Sequence, residues 1–590
     1  MNKKQLNIMI ASFFTTVAIV AAVVLLVWLV VIPQFRRLPF FPSVDMADFH
    51  QYFSLNPDST TIILEGEILR DVPQPIFEYN PTGQEVFLAA SFARDVFDPF
   101  LFWEIGPQVL HISTHSNILE FAPGRGHFYN NGIAQQLAYP LRMDGGEVFL
   151  PATLLEMLYH VEIIFHPEGN ILHIMDISQG VTVAAVAADS YLFFRPESRS
   201  PASVELAQGD EVIVVDTTPS REHFIVVAPN GHIGYVEADA LGQSYVADNA
   251  HIVPVIGQFI NNRAPVVPNW SGGPINMVWE AAHNQDANLR RMETPFHPSI
   301  NVVSPTWLDF NAENLNLTSH MNQQYLDWAR GQGVHVWPMV FDVNNATARA
   351  ILMNREARQR VVNQIVNYVD TYQLTGINID IEHLLNAEEG AYKIQFLREL
   401  NVPLRQRGVV YSAAIKPPAP WTMFYRRDLI ALTVDFVMLM SYDQHYQASA
   451  VAGPVAALPW VQESLENTLL EVPEHQLLLG LPLYNRVWRE SVLGESPLRP
   501  LNWGMEQTRD FFEGHNVAWV WDSEVGSYYG EVALVEDGEA VLYRVWLEDA
   551  RSITAKMQIY RAFDLAGVAS WRRGFETPDI WDIIEQNINN

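Results

Sequence analysis

The chain contains no cysteine among its 590 residues, which excludes disulfide bridges and thiolate metal ligands. Basic residues are also scarce, because 36 Lys and Arg stand against 67 Asp and Glu and give a formal net charge of −31. This charge disfavours nucleic acid and anionic lipid surfaces as partners. The sequence has no nucleotide-binding loop, no metal-ligand motif and no redox centre. We therefore predict no cofactor, no bound metal and no nucleic-acid partner.

Charge is absent from one long stretch near the start of the chain, Leu6–Ile32. A bilayer core needs about 20 apolar residues, so this stretch is long enough to span a membrane. A secretory signal has an apolar region of only about 7–15 residues and ends in a small-residue cleavage site, which is missing before Pro33. We predict that residues 1–43 form a cytoplasmic tip, a single-pass signal anchor and a linker, with the large C-terminal part extracytoplasmic. A cleaved signal peptide is the alternative.

Residues 44–178 contain an internal repeat. Glu85–Leu88 recurs as Glu147–Leu150, and Val109–Ile112 recurs as Ile171–Ile174, with the same offset in both cases. Each copy has the pattern of a strand, a short apolar helix and a hairpin, which predicts a small duplicated α+β domain. The stretch resembles the N-terminal domain of copper amine oxidases. That resemblance implies a stalk or spacer, and it implies neither copper nor oxidase activity.

Residues 179–248 have an all-β pattern. Short apolar runs at Val212–Val215, His223–Val227 and Ile233–Val236 are separated by Gly and Asn-Gly turns, which predicts a small barrel. The G-D-x-V and N-G-x-x-G-Y-V elements resemble a bacterial SH3-like domain. The usual partner of such domains is cell-wall peptide, so the resemblance implies contact with the wall.

From residue 250 to residue 590, strands and helical stretches alternate eight times, which predicts a (β/α)8 TIM barrel whose site lies at the C-terminal ends of its strands. The central stretch is Thr375–His383, which reads T-G-I-N-I-D-I-E-H. Its period of two predicts a strand that places Asn378, Asp380 and Glu382 on one face.

Two carboxylates that are two residues apart on a strand lie roughly 6–7 Å apart at Cβ. Asp380 and Glu382 can then share a proton, and one of them stays protonated towards neutral pH. A protonated carboxyl group of this kind serves as a general acid. The alternative interpretation of the pattern is a strand whose polar face is merely solvated.

Four stretches resemble glycoside hydrolase family 18, in the right order. T-G-I-N-I-D-I-E resembles the family pattern D-G-x-D-x-D-x-E, although Thr375 and Asn378 stand where the family usually has Asp. Asp435–Asp443, Leu479–Trp488 and Gly567–Glu576 resemble the motifs of three later strands. The W-R-x-G-x-E ending and the S-P-T-W stretch that ends at Trp307 are most similar to the spore-cortex-lytic and germination branch of the family.

The resemblance implies a role for each matching residue. Glu382 would protonate the leaving oxygen and later activate water, Asp380 would orient the acetamido N–H of the substrate, and Tyr442 would bind the acetamido oxygen. The substrate-binding positions implied in the same way are Asn378, Asp443, Met440, Tyr484, Arg486, Trp571 and Trp307.

The sequence therefore predicts a membrane-anchored, retaining glycoside hydrolase that cleaves glycans containing N-acetylglucosamine. The accessory domains favour peptidoglycan or spore cortex over chitin as the substrate. In family 18 the acetamido group of the substrate attacks the anomeric carbon, so no protein nucleophile is needed. The alternative is a cell-wall glycan-binding protein with weak or no catalysis. Such family members typically lose the equivalent of Glu382, so its presence favours the enzyme.

Overall fold

The computed structural model describes residues 44–70, 77–80, 85–197, 199–217, 222–247, 252–494 and 497–589. The predicted signal anchor, Leu6–Ile32, lies outside these residues. Within them, no helix combines the length and the apolar character needed to cross a membrane. Residue contacts divide the chain into two compact units, one formed by the described parts of 1–87 and 151–259 and the other by 88–150 and 260–590. The domain boundaries expected from the sequence stay predictions.

The first compact unit contains two sheets. The smaller has the spatial strand order Val161–His166, Ile171–Asp176, Thr61–Leu64 and Glu67–Ile68. The larger is antiparallel throughout and runs Ala202–Leu206, Ser190–Phe193, Ile233–Glu237, His223–Val227, Glu211–Asp216, Thr182–Val186 and Leu241–Val246. The unit also includes the strand Phe77–Asn80 and the helices Phe49–Phe53 and Ala152–Tyr159. The resemblances to an SH3-like domain and to a stalk domain stay predictions.

The second compact unit begins with a small β-meander. After the strand Glu85–Ala89 and the helix Ala90–Val96, five antiparallel strands follow in chain order: Phe102–Glu104, Val109–Ser113, Ile118–Phe121, His127–Asn130 and Ile133–Gln136. Arg142–Asp144 then pairs with Glu147–Pro151.

The rest of this unit is a TIM-barrel-like ring of parallel strands. The strands are β1 (Ile275–Glu280), β2 (Val302–Pro305), β3 (His335–Val336 and Met339–Phe341), β4 (Gly376–Asp380), β5 (Val410–Ile415), β6 (Phe436–Leu439), β7 (Leu477–Pro482) and β8 (Gly567–Trp571). Each strand pairs in parallel with the next, and β8 pairs with β1. β3 is interrupted at Pro338, which has no N–H for the ladder. Its first half pairs with β2 and its second half with β4.

Helices and two insertions surround the ring. The helices are Gln285–Arg291, Gln323–Gly331, Asn345–Leu352, Arg355–Tyr372, Ala387–Gln406, Arg427–Ala431, Leu458–Leu469, Ala550–Tyr560 and Asp579–Ile588. A hairpin of Leu308–Phe310 and Leu317–Ser319 follows β2. Between β7 and β8 the chain forms an antiparallel sheet and a helix, comprising Tyr484–Ser491, Arg499–Gly504, Met505–Gly514, Val520–Asp522, Ser527–Glu536 and Glu539–Leu547.

Asparagine side chains begin several of these helices. The carboxamide oxygens of Asn284, Asn322, Asn344, Asn354 and Asn386 each accept the backbone N–H three residues later, at 2.8–3.0 Å. Asparagine is among the best residues for this position, because its side chain satisfies an N–H that has no partner within the helix. Four of these caps fix where the chain enters a helix after β1, β2, β3 and β4, and Asn354 caps the second of two consecutive helices.

Candidate active site

The β4 strand carries the candidate catalytic residues to the C-terminal face of the ring. Ile377 and Ile379 are fully buried in the cluster that packs the ring against its helices, and Asn378 and Asp380 point to the opposite face, into the ring. The strand ends at Asp380, so Glu382 lies two residues beyond it. The sequence pattern predicts both carboxylates within the strand, and this prediction is wrong for Glu382. The strand ends early because the next backbone N–H groups have a different partner.

That partner is Asp342, which directly follows β3. Its carboxylate accepts the backbone N–H of Glu382 at 2.9 Å and that of His383 at 2.9 Å. It also contacts the Nδ1 atom of His383 at 3.0 Å. Asp342 is buried, and hydrogen bonds from backbone N–H to a buried carboxylate are strong. Asp342 therefore holds the backbone on which Glu382 stands.

Basic and phenolic side chains hold the carbonyl groups of the same segment. The buried Lys393 ammonium donates to the Ile381 carbonyl at 3.0 Å, and the Tyr425 hydroxyl donates to the Glu382 carbonyl. Lys416 donates to the Glu382 carbonyl at 3.1 Å and pairs with its carboxylate at 3.3 Å. The Glu382 side chain remains 33% exposed. It is thus fixed at its base and accessible at its tip.

Asp380 lies deeper than Glu382. Its side chain is buried, and its Oδ1 atom has no hydrogen-bond partner within the part of the chain that the structure describes. Burial raises the pKa of Asp380 well above its ordinary value, and the nearby carboxylates of Glu382 and Asp342 raise it further. Burial also lowers the pKa of Lys393, to about 8. Asp380 therefore holds its proton to a higher pH than an aspartate in water does.

Asn378 lies on the same face of β4, one layer further into the ring. Its Oδ1 atom accepts the indole N–H of Trp279 at 3.0 Å, and its Nδ2 atom donates to the Ser412 hydroxyl at 3.1 Å. Because Asn378 is fully buried, it offers no surface to a substrate. Its geometry is that of a support beneath Asp380.

Tyr442 and Met440 follow β6 and form the neighbouring wall of the site. Met440 is buried, and the partly exposed Tyr442 and Trp571 pack against the same apolar cluster. Burial raises the pKa of Tyr442 well above its ordinary value, and the charge of Asp380 is the next largest cause. Tyr442 therefore lies beside the carboxylate pair, and Trp571 lies 6.1 Å from the ring of Trp279 at the end of β8.

Asp443 joins two residues of the β7 region to this wall. The hydroxyl of Tyr484 and the guanidinium of Arg486 both donate to its Oδ1 atom. Asp443 has a φ of 61°, a left-handed backbone conformation that is uncommon outside glycine and often marks a functional site. The ring of Tyr484 meets that of Tyr442 edge to face, at a centroid distance of 6.3 Å. The structure thus brings Asp443, Tyr484 and Arg486 together with Tyr442.

Trp307 is the one predicted site residue that lies apart from the others. Its side chain is fully buried, packs edge to face against Tyr325, and donates its indole N–H to Asn288 at 2.8 Å. It belongs to the core between β2 and the surrounding helices. This placement leaves Trp307 no surface with which to contact a glycan.

Several residues of the site were not found from the sequence. Asp342 and Lys416 directly follow the apolar runs of β3 and β5, and a polar residue at the carboxyl end of a barrel strand is the signal that would have found them. Trp421 is 75% exposed and Tyr446 is 53% exposed, on the loops that follow β5 and β6. Exposed aromatic rings on this face provide flat surfaces for sugar rings.

One group of side chains within the described residues has the geometry to hold a metal ion, and it is separate from this site. It consists of His297, Asp582 and Glu585. His297 precedes β2 and therefore lies towards the N-terminal face of the ring, and the two acidic residues are exposed on the last helix.

Comparison with known proteins identifies the domain that contains these residues. Residues 343–576 match the family model described as glycosyl hydrolases family 18. They form a glycosyl hydrolase family 18 domain. The match supports the prediction of a glycosidase, and the predicted resemblance is confirmed for this part of the chain.

Individual relatives cover part of the chain. A Bacillus subtilis (strain 168) protein named as a sporulation-specific glycosylase, YdhD, is 27% identical over 351 residues, which are 54% of this chain and 76% of the relative. The cortical fragment-lytic enzyme of the same organism is 28% identical over 253 residues, which are 41% of this chain and 56% of the relative. The spore cortex-lytic enzyme SleL of Bacillus megaterium QM B1551 is 20% identical, with a TM-score of 0.47 over 54% of this chain and 74% of that one.

The raised pKa of Asp380 predicts a pH-dependent gain in stability for Asp380→Asn. The folded chain keeps a proton on this carboxyl group that the unfolded chain releases above its ordinary pKa, near 3.9. The stability of the native chain therefore falls as pH rises from about 4 towards the raised pKa. Asp380→Asn removes that loss, so urea denaturation at pH 7 should show the variant to be the more stable. The difference should disappear below about pH 4, and a native chain that is more stable than the variant at pH 7 would contradict this assignment.

Asp342→Asn tests the positioning of Glu382. The carboxamide turns an N–H donor towards one of the two backbone donors that Asp342 accepts, so the Glu382 backbone must shift. A misplacement of about 1 Å costs on the order of 100-fold in rate, and we expect kcat on a soluble glycan to fall about 10- to 100-fold with little change in KM. Loss of the Asp342 charge also lowers the pKa of Asp380, so the pH–rate profile should move to lower pH. The exposed Asp370→Asn is the matched control, and a profile that stays in place would refute the coupling.

Proposed function

We propose that this chain is a retaining glycoside hydrolase that cleaves N-acetylglucosamine-containing glycan of the bacterial cell wall, peptidoglycan or spore cortex, by substrate-assisted catalysis. The observation that carries the proposal is the carboxylate pair at the end of β4. Asp380 is buried with a free acceptor atom, and Glu382 is anchored by its backbone with an accessible carboxyl tip.

The two carboxyl groups suit two different tasks. The proton that Asp380 holds in the free chain moves to Glu382, which gives it to the leaving oxygen as the bond from that oxygen to the anomeric carbon breaks. The acetamido carbonyl oxygen of the same sugar forms the new bond to the anomeric carbon, on the opposite face of the sugar. Asp380 accepts the acetamido N–H through its otherwise unpartnered Oδ1 atom and stabilises the positive charge that develops on the acetamido group.

The second step returns the site to its starting state. The leaving group departs, and Glu382, now a carboxylate, removes a proton from a water molecule that attacks the anomeric carbon as the bond from the acetamido oxygen to that carbon breaks. Two displacements on the same carbon give retention of configuration. Lys416, 3.3 Å from the Glu382 carboxylate, stabilises its charged form between the two steps. Tyr442 hydrogen-bonds the acetamido oxygen, and Trp571 contacts the apolar face of the sugar.

The choice of a cell-wall glycan rests on three supports. Relatives over the catalytic part are named for sporulation and for lysis of cortical fragments. The apolar stretch Leu6–Ile32 suits a single-pass signal anchor that holds the enzyme at the outer face of the cytoplasmic membrane, next to peptidoglycan. The SH3-like and stalk resemblances of 179–248 and 44–178 fit contact with the wall.

Release of reducing ends from purified peptidoglycan tests the proposal. The full chain should release reducing ends from vegetative peptidoglycan or from cortex fragments faster than from chitin oligomers. NMR of the first product should show that the configuration at the anomeric carbon is retained. An inverted product would contradict substrate assistance. Binding of all three glycans without release from any of them would favour the alternative, a glycan-binding protein.

A further inference from the structure

A basic pocket opens beside the candidate active site. It has a volume of about 270 Å³ and is lined by Ala281, His283, Ala287, Arg290, Arg291 and Arg572. Ala281 directly follows β1, and Arg572 directly follows β8, so the pocket lies on the face that carries the catalytic carboxylates. No acidic side chain is among these lining residues, all of which the structure describes. In a chain with a formal charge of −31, three arginines and a histidine around one pocket are exceptional.

The arginines of this region differ in how they are neutralised. Arg573 is buried and donates to the buried carboxylate of Glu280 at 2.6 Å. The Arg572 side chain makes no hydrogen bond or ion pair with any described residue, and its guanidinium lies 3.9 Å from the centre of the Phe575 ring. Burial lowers the pKa of Arg572 and the like charge of Arg291 lowers it further, against the charges of Glu280 and Glu576, which raise it. Arg572 is thus a partly buried cation without a direct ion pair.

The other side of the pocket adds two more cations. Arg290 is exposed, and its side chain has no ion-pair partner within the described ranges. Arg291 is 3.8 Å from Glu280, the carboxylate that Arg573 already binds. Its guanidinium packs against Gly574, where a side chain would clash, because an added Cβ atom would lie 2.3 Å from it. One carboxylate therefore serves two arginines, and the pocket keeps an excess of positive charge.

We propose that this pocket binds a carboxylate of the glycan and makes the enzyme selective for acidic over neutral amino-sugar chains. The proposal rests on the proposed function, because it names the substrate class of that same site. Guanidinium groups present paired N–H donors that match a carboxylate, and partly buried ones bind it more strongly than exposed ones. Arg572 directly follows Trp571 at the carboxyl end of β8, so the pocket adjoins the residue that is proposed to contact the sugar. The carboxylate belongs to the lactyl ether on the neighbouring amino sugar or to a peptide attached there.

The preference of the enzyme for acidic over neutral amino-sugar chains tests the pocket proposal. The full chain and its Arg290→Gln/Arg572→Gln variant are compared on four probes: peptide-free glycan chains with a free lactyl carboxylate, the same chains converted to the methylamide, peptide-bearing chains, and chitin oligomers. We expect the ratio of kcat/KM between the acidic chains and chitin oligomers to fall about tenfold in the variant. Arg94→Gln, which removes an exposed arginine from another part of the unit, should leave the ratio unchanged.

The methylamide chains and peptide-bearing chains separate the two sources of the carboxylate. A native preference that vanishes on conversion to the methylamide assigns the pocket to the lactyl group. A preference seen only with peptide-bearing chains assigns it to the peptide. An unchanged ratio in the double variant on both kinds of chain overturns the proposal.

Binding gives a readout that does not depend on turnover. In the Glu382→Gln chain, calorimetry should show the acidic fragment binding about tenfold more tightly than its methylamide, and the difference should disappear when Arg290→Gln and Arg572→Gln are added. Equal affinity for the two fragments in the Glu382→Gln chain would contradict the pocket proposal but not the proposed function. Absence of hydrolysis by the native chain, together with tighter binding of the acidic fragment, would contradict the proposed function but not the pocket proposal.

Discussion

Glu382→Gln should reduce the hydrolysis of cell-wall glycan by about 10²- to 10⁴-fold, the range over which a positioned general acid contributes. Glutamine keeps the size of the side chain and can still lie near Lys416, but it has no proton of suitable acidity to give to the leaving oxygen. Because the backbone of residue 382 is held by Asp342, Lys416 and Tyr425, the substitution should leave the local fold unchanged. Initial rates of reducing-end release on one soluble glycan give the measurement.

The matched control for this prediction is Glu388→Gln, an exposed carboxylate in the first turn of the next helix. It removes the same charge a few residues away and should keep the native rate. Circular dichroism and glycan binding by the Glu382→Gln chain establish that its site is intact. A Glu382→Gln rate within tenfold of the native rate would remove Glu382 from the role of general acid.

The sequence pattern predicts Asn378 and Asp380 on one side of β4, as the structure has them, but it predicts neither the end of the strand before Glu382 nor the residues that support Glu382. The alternation of isoleucines with polar residues in 376–380 is a local property, and the buried faces of Ile377 and Ile379 follow from it directly. The bond from Asp342 to the backbone of residues 382 and 383 joins positions about 40 residues apart. No periodicity within either segment encodes it. The early end of β4 is a consequence of that bond.

The same distinction holds for the fold. β1 at Ile275–Glu280, β8 at Gly567–Trp571 and the helix Arg355–Tyr372 follow from apolar patterns within each segment. The pattern at 334–341 predicts one strand, and the structure has two short segments, because Pro338 interrupts the ladder between them. Residues 88–150 form a compact unit with the ring, a grouping that depends on side chains far apart in the sequence.

The side chains that join residues 88–150 to the ring include a buried ionic cluster. Arg358, at the start of the helix Arg355–Tyr372, donates to both carboxylate oxygens of Glu104 at 3.0–3.1 Å and to those of Glu399 at 3.0–3.1 Å. The Nη1 group of Arg358 also donates to the Leu352 carbonyl at 2.7 Å. His111 contacts Glu104 at 3.0 Å from the other side. Arg358 is fully buried, and every one of its donor groups is used.

Arg358→Met should destabilise the chain by about 3–5 kcal/mol, the cost of removing one partner from a buried ion pair. Methionine fills much of the space but leaves the carboxylates of Glu104 and Glu399 buried without their counter-charge. Urea denaturation of the full chain, followed by tryptophan fluorescence, gives the change in free energy of unfolding. The control is Arg407→Met, which breaks an exposed bidentate pair with Asp370 and should cost below about 1 kcal/mol.

The pH dependence of the same cluster gives a second, independent outcome. Burial raises the pKa of Glu104, but the hydrogen bonds from His111 and Arg358 outweigh it and hold the pKa at about 2. A carboxyl group whose folded pKa lies below its unfolded value of about 4.3 contributes stability above that value and loses it as pH falls towards 2. The native chain should therefore lose stability between about pH 4.5 and pH 2. Arg358→Met weakens the interaction that holds this pKa down, so its stability should fall less over that interval. Equal losses in the two chains would mean that Arg358 does not stabilise the charged form of Glu104.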